Sequence, residues 1–132
     1  MAEKVLIYSR FPKSQMVRIG ERFDLLDAAG KPPLQTFSAD QLKDVRALIT
    51  AGGQLLKADV MDMMPSLGAI ICYGTGYDGV DFKAAAERKI VVGNSPVANA
   101  ASVADLALTL MLAGTRCVLP AAEDLGEGGS AP

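Results

Sequence analysis

The stretch that decides the fold is Gly74–Arg116, GTGYDGVDFKAAAERKIVVGNSPVANAASVADLALTLMLAGTR. In order, it contains a glycine loop, a short helix, an apolar strand, a turn at Asn94 and a long apolar helix. Asp81 stands at the start of the short helix, where an aspartate caps free backbone N–H groups. A short apolar run between turn residues is typical of a strand covered on both faces. The stretch therefore reads as part of a parallel α/β sheet.

The same alternation extends through the whole chain. Short apolar runs predict five strands: Lys4–Tyr8, Leu34–Phe37, Ala47–Thr50, Ala69–Tyr73 and Ile90–Gly93. Parallel neighbours need a right-handed crossover, and helical segments of suitable length lie between the runs. The prediction is an α/β fold: a flavodoxin-like, doubly wound, five-stranded parallel sheet in the order 2-1-3-4-5, followed by a long C-terminal helix.

Helical spacing and capping residues predict the intervening helices. The first is indicated by Met16, Ile19, Phe23 and Leu26, with Ser14 as its N-cap.

Three further helices are predicted from caps and breakers. Ser38 and Gln41 fit a capping box before a short helix that carries Leu42 and Val45. The others are Lys57–Met64, ended by a proline, and Phe82–Arg88, capped by an aspartate.

Composition excludes several classes of function. The length of 132 residues indicates one domain. The net charge of -2 gives no basis for binding nucleic acid or an anionic membrane. The longest apolar stretch, Val103–Ala113, is well short of the ~20 residues of a membrane span. We find no signal-peptide pattern, and we expect a cytoplasmic protein with no metal site. Cys72 and Cys117 are expected to be reduced, structural thiols.

Two glycine loops, Ala51–Gly53 and Gly74–Gly76, each follow a predicted strand. These two strands should be neighbours in the sheet. Ligands of open α/β sheets bind at the carboxyl ends of the strands, near the switch in strand order. Glycine lets the backbone approach a ligand and point N–H groups at a small anion. The same glycines would also suit plain tight turns, and the residues alone leave both interpretations open.

Two motifs resemble those of one enzyme family. Gly74–Asp81 is similar to G-[TV]-G-x-D-x-[VI]-D, and Asn94–Leu106 is similar to N-x-P-x-x-N-x-x-S-V-A-[DE]-L. Both belong to the first domain of the D-isomer-specific 2-hydroxyacid dehydrogenases, and the likeness covers nearly everything up to Arg116. The hydroxypyruvate/glyoxylate reductase and phosphoglycerate dehydrogenase branches are the most similar.

The resemblance implies an isolated substrate-binding domain over residues 1–119, a mobile tail over 120–132 and no NAD-binding domain. It implies that backbone amides of Ala51, Gly52, Thr75 and Gly76 hold, weakly, the carboxylate of a small 2-oxo or 2-hydroxy acid. Thr75 and Ser102 would lie against the nicotinamide end of NAD or NADP. Neither cofactor is expected to bind tightly to this chain.

The chain also departs from the family pattern. The dinucleotide fingerprint G-x-G-x-x-G is missing in its expected setting, and the chain has no histidine to supply a proton. The family's catalytic Arg, Glu and His belong to its later part, so no catalytic residue is assigned and the chain alone should be inactive. Asp78 and Asp81 are interpreted as a loop-closing residue and a helix cap, and Arg10 as a solvated charge. Lys89 stands where the family commonly has glycine.

The long helix, expected over residues 99–119, is apolar around most of its circumference. Such a helix is buried on more than one side. It could fold back on its own sheet, but we expect self-association, giving a dimer. The alternative function is a non-enzymatic flavodoxin-like binding or structural module. Against it, Ser9–Lys13 offers neither the acidic pair of a phosphate-accepting receiver nor a flavin phosphate loop.

Overall fold

The computed structural model describes residues 2–28, 37–126 and 128. The chain divides into two compact units, Met1–Ala98 and Asn99–Pro132. The first unit contains a sheet with helices, and the second contains helices.

The first unit is built on five parallel strands in the order β2-β1-β3-β4-β5. The strands are β1 Lys4–Ile7, β2 Asp24–Asp27, β3 Val45–Ala51, β4 Ala69–Tyr73 and β5 Val91–Gly93. The helices are α1 Lys13–Gly20, α2 Ala39–Leu42, α3 Ala58–Asp62 and α4 Phe82–Glu87. The predicted fold class and strand order are confirmed.

The second strand comes from a segment that the sequence predicts as helix. Asp24–Asp27 forms β2 at the sheet edge, whereas the predicted strand Leu34–Phe37 lies, except for its last residue, outside the described residues. The helical spacing of Phe23 and Leu26 is accidental, because α1 ends at Gly20. An edge strand with an exposed aspartate at each end tolerates charge that an inner strand would exclude.

The predicted caps are partly confirmed. Ser38 and Gln41 form the capping box of α2, with a distance of 2.9 Å from Ser38 N to Gln41 Oε1. Val45, however, begins β3 rather than continuing α2. The N-cap of α1 is Pro12, whose extended conformation sets the entry angle, so Ser14 lies inside the helix.

Helix α4 begins and ends with well-formed caps. Asp81 Oδ1 accepts the N–H of Ala84 at 2.9 Å, as predicted. At the other end, the N–H of Ile90 bonds to Ala85 O at 2.9 Å, which is the long bond of a Schellman motif. That motif needs a left-handed residue, and Lys89 occupies the position with φ of 57°. The turn geometry is therefore kept without the glycine.

The core of the first unit lies between the sheet and its helices. Its largest fully buried side chains are Leu6, Ile7, Leu42, Leu48, Leu56, Met61, Met64, Ile70, Val45, Thr50 and Cys72. The expectation that every strand is covered on both faces is wrong for β4 and β5. In β4, buried and exposed positions alternate, and Ile71 is 43% exposed. In β5, Val91 is 69% exposed.

The second unit contains two helices where one was predicted. Helix α5 is Ala100–Thr115 and helix α6 is Val118–Gly126, separated by Arg116 and Cys117, the latter with φ of 50°. Residues 120–126 of the predicted tail are thus helical, and of the rest only Gly128 is described. No single described helix is long and apolar enough to span a membrane, although α5 and α6, bent by 62°, pass that test of length and composition together.

Candidate functional site

Two loops at the carboxyl ends of β3 and β4 lie against each other. We call residues 51–57 the first glycine loop and residues 74–81 the second glycine loop. The N–H of Gly79 donates to Gly52 O at 2.7 Å, and the N–H of Leu56 donates to Gly79 O at 2.9 Å. These bonds join the two loops into one backbone surface at the edge where α/β proteins bind ligands.

Two of the glycines are required by this close approach. A Cβ atom on Gly52 would overlap the carbonyl of Gly76, and one on Gly79 would overlap the carbonyl of Gln54. Gly53 and Gly74 differ, since a Cβ atom there would meet nothing within 4 Å. Tight packing of the two loops therefore explains Gly52 and Gly79, whereas the space over Gly53 and Gly74 is open.

Several backbone N–H groups of these loops donate to no described residue, among them the four of Gly52, Gly53, Thr75 and Gly76. Three of the four residues were predicted as substrate ligands. The fourth predicted ligand, Ala51, is different, because its N–H donates to Ser9 Oγ at 2.8 Å. The Ala51 amide is engaged inside the protein, and Gly53 takes its place among the available donors.

Ser9 anchors the first glycine loop through a small hydroxyl network. Its Oγ lies 2.7 Å from Gln54 Oε1 and 3.0 Å from Thr50 Oγ1. The amide oxygen of Gln54 can only accept, so the proton of Ser9 goes there, and Thr50 supplies its own proton to Ser9 or to the carbonyl of Ala51. Ser9 and Thr50 are 4% and 1% exposed, which makes the loss of any partner costly.

Sequence reasoning missed this network. The signal available was a hydroxyl residue directly after each of two apolar runs, Ser9 after the first and Thr50 at the end of the third. Only the pairing of β1 with β3 brings these positions together.

The second glycine loop is held by the segment after β5. The N–H of Ser95 donates to Gly74 O, and Asn94 Nδ2 donates to Thr75 O, both at 2.8 Å. The carbonyls of Gly74 and Thr75 are thus engaged, while the N–H groups of Thr75 and Gly76 donate to no described residue.

The charged residues near the loops have modest roles. The carboxylate of Asp78 makes no hydrogen bond to any described residue, so the loop-closing role predicted for it is not supported. Arg10 is exposed. Among the described residues, no group of three or more His, Cys, Asp or Glu side chains could hold a metal ion. Burial raises the pKa of the Cys72 thiol, which disfavours its reactive thiolate.

Ser102, predicted to contact a cofactor, lies in the first turn of α5. It belongs to the second unit and is exposed. Thr75 belongs to the first unit, in the second glycine loop.

A family model described as D-isomer specific 2-hydroxyacid dehydrogenase, catalytic domain, matches residues 5–127. Among curated relatives, a glyoxylate reductase of Korarchaeum cryptofilum is 31% identical over 97% of this chain and 39% of its own length. A D-3-phosphoglycerate dehydrogenase of Methanocaldococcus jannaschii is 36% identical over 67% of this chain and 17% of its own length.

Solved structures give the same result. The NADPH-dependent glyoxylate/hydroxypyruvate reductase from Sinorhizobium meliloti, in complex with NADP and malonate, has a TM-score of 0.84 at 30% identity. The likeness covers 97% of this chain and 39% of that one. A 2-hydroxyacid dehydrogenase from Ketogulonicigenium vulgare has a TM-score of 0.87 at 26% identity, over 100% of this chain and 43% of that one. Because the family model matches nearly the whole length of the chain, the chain belongs to the D-isomer specific 2-hydroxyacid dehydrogenase family.

Proposed function

We propose that this chain is the substrate-binding part of an NAD(P)-dependent 2-hydroxyacid dehydrogenase. The carboxylate of a small 2-oxo or 2-hydroxy acid accepts hydrogen bonds from the N–H groups of Gly52, Gly53, Thr75 and Gly76. One observation carries the proposal: four amides without an internal partner lie on two loops that are bonded together. The relatives named glyoxylate reductase, and the relative in complex with malonate, a dicarboxylate, support it.

When bound in the complete enzyme, the reduced cofactor would supply a hydride for the keto carbon of the acid, and the keto oxygen would take up a proton. The proposed role of this chain is to fix the acid so that the keto carbon has one orientation, which lowers the entropic part of the barrier. The proton donor does not come from a histidine of this chain, which has none. We therefore expect no NAD(P)H-dependent reduction of glyoxylate or hydroxypyruvate by the chain alone.

The chain by itself does not fit the phosphates of a dinucleotide. In a fingerprint loop, the glycine backbone faces the pyrophosphate ahead of a helix. Here the N–H of Gly79, the last glycine of GTGYDG, is taken by Gly52 O at 2.7 Å. Cofactor contact by the first unit is therefore proposed only at the nicotinamide end, through Thr75, and without tight binding.

Calorimetry tests the proposal against its rival. Glyoxylate and hydroxypyruvate should bind in the millimolar range, because a few backbone bonds on an open surface must offset the cost of association. Glycolaldehyde, which lacks the carboxylate, is the matched control and should not bind. FMN binding more tightly than either acid would favour the non-enzymatic flavodoxin-like module, and equal heats for acid and control would reject the proposal.

We further propose that the second unit mediates self-association. Its large exposed apolar side chains are Val103, Leu106, Leu108, Leu110, Met111, Leu112, Val118, Leu119 and Leu125. Burial of these side chains against a second copy would remove their apolar surface from water, which favours association. A second copy always presents the same face, as a two-fold dimer requires.

Sedimentation equilibrium across a concentration series tests this interface. Dimerisation should weaken when Leu106 and Leu110 are both replaced by Lys and persist when the exposed Val17 of the first unit is replaced by Lys. A monomer at all concentrations would reject the interface.

A cytoplasmic location is proposed as well, to be checked by fractionation of the native cells.

A further inference from the structure

We infer that Asn94 is a positioning residue for the proposed carboxylate site, and the inference rests on the proposed function. Its side-chain amide fixes the peptide unit between Thr75 and Gly76, so that the N–H of Gly76 faces the same side as the N–H of Thr75. Asn94 itself would not touch the substrate.

The first step is the identity of the contact. Asn94 Nδ2 lies 2.8 Å from Thr75 O. A carbonyl oxygen only accepts, so the nitrogen of the Asn94 amide, and not its oxygen, must face it. Asn94 is half-buried and its side chain makes no other hydrogen bond within the described residues.

The second step follows from peptide geometry. The C=O and N–H of a trans peptide point in opposite directions, and the described residues contain no cis peptide bond. Since Thr75 O points at Asn94, the N–H of Gly76 points away from it. Since Gly74 O points at the N–H of Ser95 at 2.8 Å, the N–H of Thr75 points away from Ser95. Two successive N–H groups therefore face away from the same turn, as an anion site requires.

The third step is the need for a side chain here. Flipping the peptide between Thr75 and Gly76 changes ψ of the first residue and φ of the second, and glycine accepts either sign of φ at little cost. A flip would turn the carbonyl of Thr75 to the side of the donors and replace a donor with an acceptor. The preceding peptide is held by the backbone N–H of Ser95. The Thr75–Gly76 peptide is held by the Asn94 side chain.

Three single variants of the full chain test the inference. Asn94→Ala removes the donor, and Asn94→Asp keeps the shape but presents oxygens to Thr75 O. Ser95→Ala is the matched control, because Ser95 acts only through its backbone N–H. We expect the Kd for hydroxypyruvate to rise about five- to tenfold in Asn94→Ala, the worth of one hydrogen bond, and further in Asn94→Asp. Ser95→Ala should bind like the wild type.

A second readout does not depend on a ligand. In the ligand-free protein, the amide signals of Thr75 and Gly76 should broaden in both Asn94 variants, and thermal unfolding should change little. Equal Kd values and unchanged Gly76 signals in Asn94→Ala would overturn the inference. Absence of binding to the wild-type chain would instead reject the proposed function, while the ligand-free amide signals would still decide the role of Asn94. If Asn94→Asp does not fold, Asn94→Ala with its Ser95→Ala control gives the same decision.

Discussion

The two units contain similar apolar side chains and differ in what they do with them. In the first unit, Leu6, Leu48 and Ile70 are fully buried. No buried side-chain polar atom there lacks a partner among the described residues. In the second unit, neither α5 nor α6 has one buried residue, and Leu110 is 63% exposed. The first unit therefore has its own source of stability, whereas the described helices of the second unit leave their apolar side chains exposed.

The length of α6 is a further difference. Isolated helices shorter than ~12–15 residues are marginal in water, and α6 has 9 residues. Apolar composition alone does not say which of two apolar segments is a core. What separates them is whether the rest of the unit supplies a second layer.

Truncating one leucine in each unit should affect the stability of the two units very differently. Leu48→Ala, in the fully buried part of β3, should lower the free energy of unfolding by about 2–5 kcal/mol through lost burial and a cavity. Leu110→Ala should change it by less than about 0.5 kcal/mol in dilute solution. Urea unfolding measures both, and equal effects would show that the two units share one core.

A pair of adjacent glycines tests how the two loops are held together. Gly52→Ala should destabilise the first unit by about 3 kcal/mol, since its Cβ overlaps the Gly76 carbonyl and the loops must separate. Gly53→Ala is the control, because nothing lies within 4 Å of the added atom. Urea unfolding again measures both. A harmless Gly52→Ala would mean that the loops do not touch as described.

A substitution at the end of α4 should stabilise the protein. Lys89→Gly should raise the free energy of unfolding by about 1 kcal/mol, because a left-handed φ of 57° strains any residue with a Cβ. The same change at Lys83, inside α4, should have the opposite sign, because glycine weakens a helix interior by about 0.5–1 kcal/mol. Thermal unfolding compares the two. Destabilisation by Lys89→Gly would show that the left-handed turn is absent.

The smallest expected effect concerns the surface pair between α3 and the end of α4. Arg88 Nε and Asp62 Oδ1 lie 2.7 Å apart, and the hydrogen bond from Arg88 lowers the pKa of Asp62. A lowered folded-state pKa contributes stability above the unfolded-state value near 4, which is lost as pH falls through the lower value. In Asp62→Asn, the free energy of unfolding should therefore fall slightly less steeply as the pH is lowered below about 4, the acid limb of the stability curve. An unchanged limb would show that the pair contributes nothing.

The sequence predicted the sheet order because four of its five strands are apolar runs bounded by turn residues. The prediction misplaced β2 because this edge strand begins with Asp24, ends with Asp27 and contains no long apolar run. In addition, Phe23 and Leu26 happen to have helical spacing. The break at Cys117 was also missed, since neither glycine nor proline marks it.

The site was predicted at the level of loops and not of individual donors. Glycines after neighbouring strands indicate a backbone surface, but which N–H groups remain available depends on distant partners. Ser9 takes the amide of Ala51 across 42 positions of sequence, and Asn94 reaches Thr75 across 19. Such pairings exist only once the strands are side by side.

Amide-resolved NMR titration of the chain with hydroxypyruvate tests whether free amides of the two glycine loops bind a carboxylate. We expect the signals of Gly52, Gly53, Thr75 and Gly76 to move together along one saturable curve. The Ala51 signal should move least in its loop, because its N–H is already bonded to Ser9 Oγ at 2.8 Å. Shifts confined to other regions, or equal shifts with glycolaldehyde, would contradict the claim.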